Sequence, residues 1–243
     1  MTTRLYLVRH GATVLSAEDR FAGSTDVELS DEGRAQAAAL GRRLADAGLV
    51  AAYCSPLRRT VETATLITHG SGLTPQPADG LREITHGHWE GLTRAEVEQR
   101  YAAEYASWEL DPFTFAPQGG DSGLSVLSRA LPVVREIVVT HQDQNVLVVS
   151  HKATLRLILS SLLGFDARGY RDRLDQHPAC LNIVDFRDPV RARLMLFNDT
   201  SHYQDQPGRA HGRLSKWWDV NQPANKTEAE ADNEAGAASG GSP

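Results

Sequence analysis

Two short apolar runs constrain most of what this chain can fold into. Leu5-Tyr6-Leu7-Val8 stops abruptly at Arg9-His10-Gly11, and Val146-Leu147-Val148-Val149 stops at Ser150-His151. Runs this short, apolar throughout and polar at one end, read as buried strands. Helical patterns alternate with them. Ser30 is placed to cap a helix that carries Ala37, Leu40, Leu44 and Ala47 at helical spacing and stops at Gly48. Val50 to Cys54 reads as a strand, Leu57 to Thr68 as a helix, and Thr74 to Ala78 as a short strand. A helix is expected over Thr93 to Trp108. A longer one is expected from about Ser122 to His141, capped by Asp121 or Ser122, with Pro132 predicting a kink or a late start. Lys152 to Leu163 is a helix closed by Gly164, and Leu181 to Phe186 and Arg193 to Phe197 are the last strands. This alternation predicts an α/β three-layer sandwich: a mostly parallel central sheet, helices on both faces and a small helical cap over the strand ends.

The 243 residues contain no internal linker, which predicts one domain over residues 1–221. From Gln222 the sequence turns to Ala, Gly, Ser, Asn and Glu without large apolar residues, so residues 222–243 are expected to form a disordered tail. The net charge of -6 argues against a nucleic-acid partner, while leaving room for a local basic pocket. No apolar run is long enough to cross a bilayer, so no membrane association is expected. No secretory signal precedes Leu5, which points to the cytoplasm, or to an organelle stroma if a transit peptide has been removed. Cys54 and Cys180 lack metal-ligand spacing and fall in strand-like runs, so buried, inert thiols are expected. A homodimer is allowed but not required.

Ligands of an open parallel sheet sit beyond the carboxyl ends of its strands. Three predicted strands deliver unusual residues there: Arg9 and His10; Ser55 followed by Arg58 and Arg59; and Ser150 with His151. Arginines gathered at one point call for an anion, and guanidinium forks match the oxygens of a tetrahedral phosphate. Neighbouring arginines also disfavour the imidazolium, which leaves His10 able to attack phosphorus. Glu83, just after the third strand, is the candidate acid for the leaving oxygen and the candidate base for the later attack by water, with Glu90 as its rival. No cofactor and no metal ligand set is expected.

Leu7-Val8-Arg9-His10-Gly11-Ala12-Thr13 resembles the signature of the histidine phosphatase superfamily, the phosphoglycerate-mutase-like proteins. The resemblance continues in order through Arg20-Phe21-Ala22-Gly23, Asp26 to Ser30 and Gly33. It then covers Ser55 to Thr60, Glu62 to Ala64, Leu81-Arg82-Glu83, Gly87 to Gly91, Gly119 to Ser122 and Val149-Ser150-His151. It implies His10 as nucleophile, Arg9, Arg59 and His151 as the phosphate pocket, and Glu83 as proton donor, acting without a metal. Arg59, not Arg58, stands where the family's arginine does. Ser16, Gly23 and Lys152 complete the implied substrate-binding set. Ser16 replaces an asparagine that is common in the family, Lys152 replaces a small residue, and Asp121 stands where glutamate is commoner.

The expected activity is a metal-independent phosphomonoesterase working through a phosphohistidine on a small anionic phosphorylated metabolite. The alternatives are a mutase-type phosphoryl transfer and a non-catalytic binding protein on the same fold. The stretch from Ile84 to Ser122 is compact and acidic, which favours hydrolysis over the mutase reading. Lys152, at the start of its helix, is expected to recognise a second anionic group on the substrate, against the plainer reading that it points to solvent.

Overall fold

A computed structural model describes residues 2–14 and 20–204 of the chain. It contains six strands, β1 (Thr3–Arg9), β2 (Leu49–Cys54), β3 (Gln76–Pro77), β4 (Asn145–Ser150), β5 (Leu181–Phe186) and β6 (Ala192–Asp199). They form one sheet in the order β3-β2-β4-β1-β5-β6. The four strands from β3 to β1 run parallel, and β5 and β6 close one edge as an antiparallel pair. Ser16 and the expected tail at 222–243 lie outside the described residues.

The helices are α1 (Asp31–Arg43), α2 (Arg58–Ile67), α3 (Arg94–Arg100), α4 (Ala102–Leu110), α5 (Gly123–Thr140), α6 (Lys152–Leu163) and α7 (Tyr170–Arg173). Alternation along the strands sorts the core into two slabs. Leu5, Leu7, Val146 and Val148 pack with Val134, Ile137 and Val138 of α5 and Leu155, Ile158 and Leu159 of α6. Tyr6, Val8, Leu147 and Val149 pack with Leu40 of α1 and Ala64 and Ile67 of α2. A third cluster, Phe21, Trp89, Val97, Tyr105 and Trp108, belongs to a cap built on α3 and α4. Among the described residues, no helix is long and apolar enough to cross a membrane. Both cysteines are buried and free, and burial pushes the thiols up to about 11 at Cys54 and about 12 at Cys180.

Two local expectations change, and of the alternatives left open for α5 the late start is excluded. Helix α1 ends at Arg43 with Leu44 as its cap, so Gly48, in a left-handed conformation, closes the following turn rather than the helix. The single helix expected over Thr93 to Trp108 is two, because Tyr101 leaves helical geometry. Its ring stacks on His88 at 4.2 Å, and the new helix turns Tyr105 and Trp108 into the cap core. Helix α5 begins at Gly123, well before Pro132. The Ser122 hydroxyl accepts from the Ser125 N–H and fixes that start.

Candidate active site

The strand ends meet in register. Arg9 pairs with Ser150 across β1 and β4, the His10 N–H donates to Ser150 O at 3.0 Å, and the Ser55 N–H donates to Val149 O at 3.0 Å. His10, Ser55, Ser150 and His151 are therefore set side by side by backbone pairing, and all four are buried. A Cβ on Gly11 would lie 2.4 Å from Gly33 O, so only glycine lets the chain leaving His10 pass this close to the start of α1.

His10 Nδ1 lies 2.8 Å from its neighbour's carbonyl, Gly11 O. A carbonyl only accepts, so Nδ1 holds the proton and Nε2 keeps its lone pair. Burial, then Arg9 and Arg59, hold the His10 imidazolium well below its ordinary range. His151 stands opposite, with ring centroids 5.2 Å apart. Arg59 Nε donates to His151 Nδ1 at 3.3 Å, so His151 is protonated on Nε2, which donates to Ser55 Oγ at 2.8 Å. Burial and the same arginines disfavour its charged form too. Both sites thus favour the neutral imidazole, and the hydrogen bonds select one tautomer of each.

The two arginines are held differently. Arg9 Nη1 donates to Gln176 O at 2.7 Å, while its Nε is buried without a partner among the described residues. Arg59 is 2% exposed and donates Nη1 to Thr25 O and Nη2 to Gly23 O, each at 2.8 Å. A guanidinium has five N–H groups, so two on Arg59 stay available beyond its three bonds. Arg58, its neighbour, is exposed and pairs with Glu28 at 2.5 Å.

Glu83 and Glu90 occupy distinct positions. Glu83 accepts from the N–H groups of Ala153 and Thr154 in the first turn of α6, from the Thr154 hydroxyl and from the Ile84 N–H. Only one of these contacts reaches Oε2, which leaves that oxygen able to carry a proton. Arg129 fixes the preceding turn by donating to the carbonyls of Gly80, Arg82 and Glu83. Glu90 instead holds the loop at 23–25, accepting from the N–H groups of Gly23 and Ser24 and from the hydroxyl of Thr25, and it also accepts from the His86 N–H. That loop is gripped from both sides, its carbonyls by Arg59 and its N–H groups by Glu90. Gly23 serves this grip, since a Cβ there would sit 1.7 Å from Ile84 O and its N–H is already committed to Glu90.

Lys152 is half-exposed and ion-paired. Its ammonium lies 3.4 Å from Asp175, which also binds Arg156 at 3.0 Å. Asp121 accepts from the Thr85 N–H and from Arg129, which ties the turn carrying Glu83 to the start of α5. Sequence reasoning misses Thr154, Arg129, Gln176, Asp175 and Arg156. The spacing of Arg156 four residues after Lys152 is a readable hint, because such residues share a helix face. Gln176 gives none, since it acts through its backbone carbonyl.

Comparisons with known proteins place the chain in a family. Phosphoserine phosphatase 1 of Hydrogenobacter thermophilus is 36% identical over 163 residues, 67% of this chain and 77% of that protein. Glucosyl-3-phosphoglycerate phosphatase of Mycolicibacterium vanbaalenii is 34% identical over 168 residues, 66% of this chain and 74% of that protein. Among solved structures, Bacillus stearothermophilus YhfR superposes with a TM-score of 0.78 at 31% identity, covering 83% of this chain and all of that one. The family profile of the histidine phosphatase superfamily (branch 1) matches residues 5–200. The ordered strand-end motifs, the fold and these relatives lead to one conclusion: the chain belongs to the histidine phosphatase superfamily, branch 1, and is a phosphoric monoester hydrolase.

Proposed function

We propose that the protein hydrolyses small anionic phosphomonoesters through a phosphohistidine on His10, with no metal in the reaction. One observation carries this reading: a neutral His10 whose Nδ1 proton is tied to Gly11 O, leaving Nε2 unprotonated between two cationic guanidinium groups. Nε2 attacks phosphorus, the bond to the ester oxygen breaks, and Glu83 gives that oxygen a proton. Water then attacks the phosphohistidine, loses a proton to Glu83 and releases inorganic phosphate, which restores His10. Arg9 and Arg59 offset the charge on the equatorial oxygens throughout, the role for which other phosphoryl-transfer sites recruit a metal or an added arginine. His151 orders Arg59 and Ser55 on the far side of the pocket.

The relatives are named for small phosphorylated metabolites, phosphoserine and glucosyl-3-phosphoglycerate among them. The substrate of this chain is proposed to lie in that broad class. Acid- and base-quench of a reaction with labelled phosphoester provides the test. The wild type should carry an acid-labile, base-stable label. His10→Ala should lose the label and roughly four orders of magnitude or more in kcat while keeping its fold by circular dichroism. The wild-type rate should persist in excess chelator. A label retained on His10→Ala would overturn the assignment.

A further inference from the structure

Beside the phosphate pocket lies a second concentration of positive charge that the proposed hydrolysis does not use. Lys152 and Arg156 stand one helical turn apart on α6, and both reach the same oxygen, Oδ1 of Asp175, at 3.4 and 3.0 Å. That oxygen also accepts the Gln176 N–H at 2.9 Å. One carboxylate thus serves two cations, so these three side chains together carry one net positive charge. Arg156 is largely buried, and its Nε is buried with no hydrogen-bond partner among the described residues. An unmatched buried guanidinium N–H beside surplus charge is costly unless an acceptor completes it.

The cluster is built against the catalytic floor. Arg9 donates to Gln176 O at 2.7 Å, so the residue after Asp175 is fixed to the arginine that flanks His10. Gln176 is fully buried, and its side-chain amide is paired with Asn182, which in turn donates to Leu7 O inside the sheet. Asp175 therefore projects from a rigid base. Lys152 follows His151 directly, and Arg9 lowers the affinity of both Lys152 and Arg156 for their protons, which places three cations within one another's field. Burial first, then Arg156 and Arg9, loosen the hold of Lys152 on its proton against the pull of Asp175. A second anion near Lys152 would relieve that crowding.

We infer that Lys152 and Arg156, oriented by Asp175, form a subsite for a carboxylate carried by the phosphoester substrate a few bonds from phosphorus. A carboxylate fits better than a second phosphate for two reasons. The cluster already seats one, that of Asp175, between the same two cations. The surplus is a single charge, which a monoanion matches. Asp175 acts here as a positioning residue, holding the two cations apart and limiting how strongly they bind an anion.

The inference rests on the phosphatase reading, and its test is arranged so that the two fail differently. Non-hydrolysable phosphonates bearing a terminal carboxylate two, three or four bonds from phosphorus are compared with their carboxamide counterparts. Each is assayed as a competitive inhibitor of aryl-phosphate hydrolysis by the full-length protein. At one of these spacings the acid should bind about tenfold more tightly than the amide, as expected for a charge-assisted contact in a partly desolvated site. In Lys152→Met that ratio should fall to near one, whatever the variant's own turnover. In Asp175→Asn it should rise above the wild-type ratio, because the two cations lose their internal partner. Lys152 is half-exposed, so its variant keeps the test available if Asp175→Asn does not fold. Acids and amides that inhibit the wild type equally at all three spacings, or an acid preference that survives Lys152→Met, would overturn the subsite and leave the phosphatase reading intact. Absence of aryl-phosphate hydrolysis in the wild type would overturn the phosphatase reading and the subsite together.

Discussion

The floor of the pocket and the cap above it are both buried, yet they are built on opposite principles. The floor consists of polar groups at strand ends and in the first turns of the helices that follow them: His10, Ser55, Arg59, Ser150, His151 and Thr154 are all buried. Each has a hydrogen-bond partner, and the sheet's backbone pairing sets the spacing of those at the strand ends. The cap holds Phe21, Trp89, Tyr105 and Trp108 in tilted or edge-on ring contacts 5.3 to 6.3 Å apart. Its cohesion comes from area and shape. Buried polar groups fixed in direction perform chemistry, whereas buried rings supply stability and a lid. Damage to the floor should therefore appear in rates, and damage to the cap in stability.

The sharpest way to break this division, after loss of His10 itself, is Glu83→Gln. The variant keeps the shape of the side chain but has no proton to give. Hydrolysis of alkyl phosphates should fall by about 10²–10⁴-fold, while an aryl phosphate, whose leaving group needs little protonation, should lose far less. Equal losses on the two esters would remove Glu83 from the role of acid. Glu90 is already occupied in holding the loop at 23–25, so it would be a poor successor.

Trp108→Ala tests the other side. Trp108 is 3% exposed, touches Phe21 and Trp89, and lies beneath the Arg171 guanidinium at 4.3 Å. Its removal should cost about 3–5 kcal/mol of stability in denaturant unfolding. The folded fraction should keep kcat on an aryl phosphate within roughly an order of magnitude of wild type. A rate collapse comparable to that of His10→Ala, with stability unchanged, would show that cap and floor are not separable.

A smaller effect follows from the neutral histidines. In the folded state, burial and the arginines hold both His10 and His151 below their ordinary range. The unfolded chain takes up protons once pH falls below about 6.5, and the folded protein lags behind it. Stability is therefore indifferent to these groups above that value and declines with acid below it, by up to about 1.4 kcal/mol per pH unit for each histidine. Denaturant unfolding from pH 8 to pH 5 should show a shallower acid decline in His10→Ala than in wild type. Identical slopes would mean that His10 is protonated in the folded state and that its lone pair is not held in reserve.

The smallest effect is expected at Arg58. It is the exposed neighbour of a buried arginine, and its ion pair with Glu28 is open to solvent on both sides. Arg58→Ala should change stability by no more than about 1 kcal/mol and leave turnover near wild type. A large loss of turnover would mean that Arg58 shares the role assigned to Arg59.

Much of the floor is legible in the order of residues along the chain. A continuous apolar run ending in Arg9-His10, and another ending in Ser150-His151, read as buried strands whose polar ends face the same side of a parallel sheet, because right-handed crossovers keep the strands pointing one way. The family resemblance then separates Arg59 from Arg58, which spacing alone does not do. The cap is harder to read. Thr93 to Trp108 has helical composition throughout, and its break at Tyr101 answers to a contact with His88, far enough away that no local pattern records it.

By itself, then, the sequence determined the strands, most helix ends and the chemical kind of the residues at the strand ends, because periodicity and capping act over a few residues and are written in order along the chain. Tertiary structure alone decided which nitrogen of His151 carries its proton, which of two glutamates rests on the first turn of α6, and that Lys152 is tied to Asp175. Those outcomes depend on hydrogen bonds between residues far apart in the chain, such as Glu83 with Ala153 and Arg9 with the carbonyl of Gln176. A carbonyl or an N–H is present at nearly every position, so composition cannot say which one a side chain will meet; only the packed backbone can.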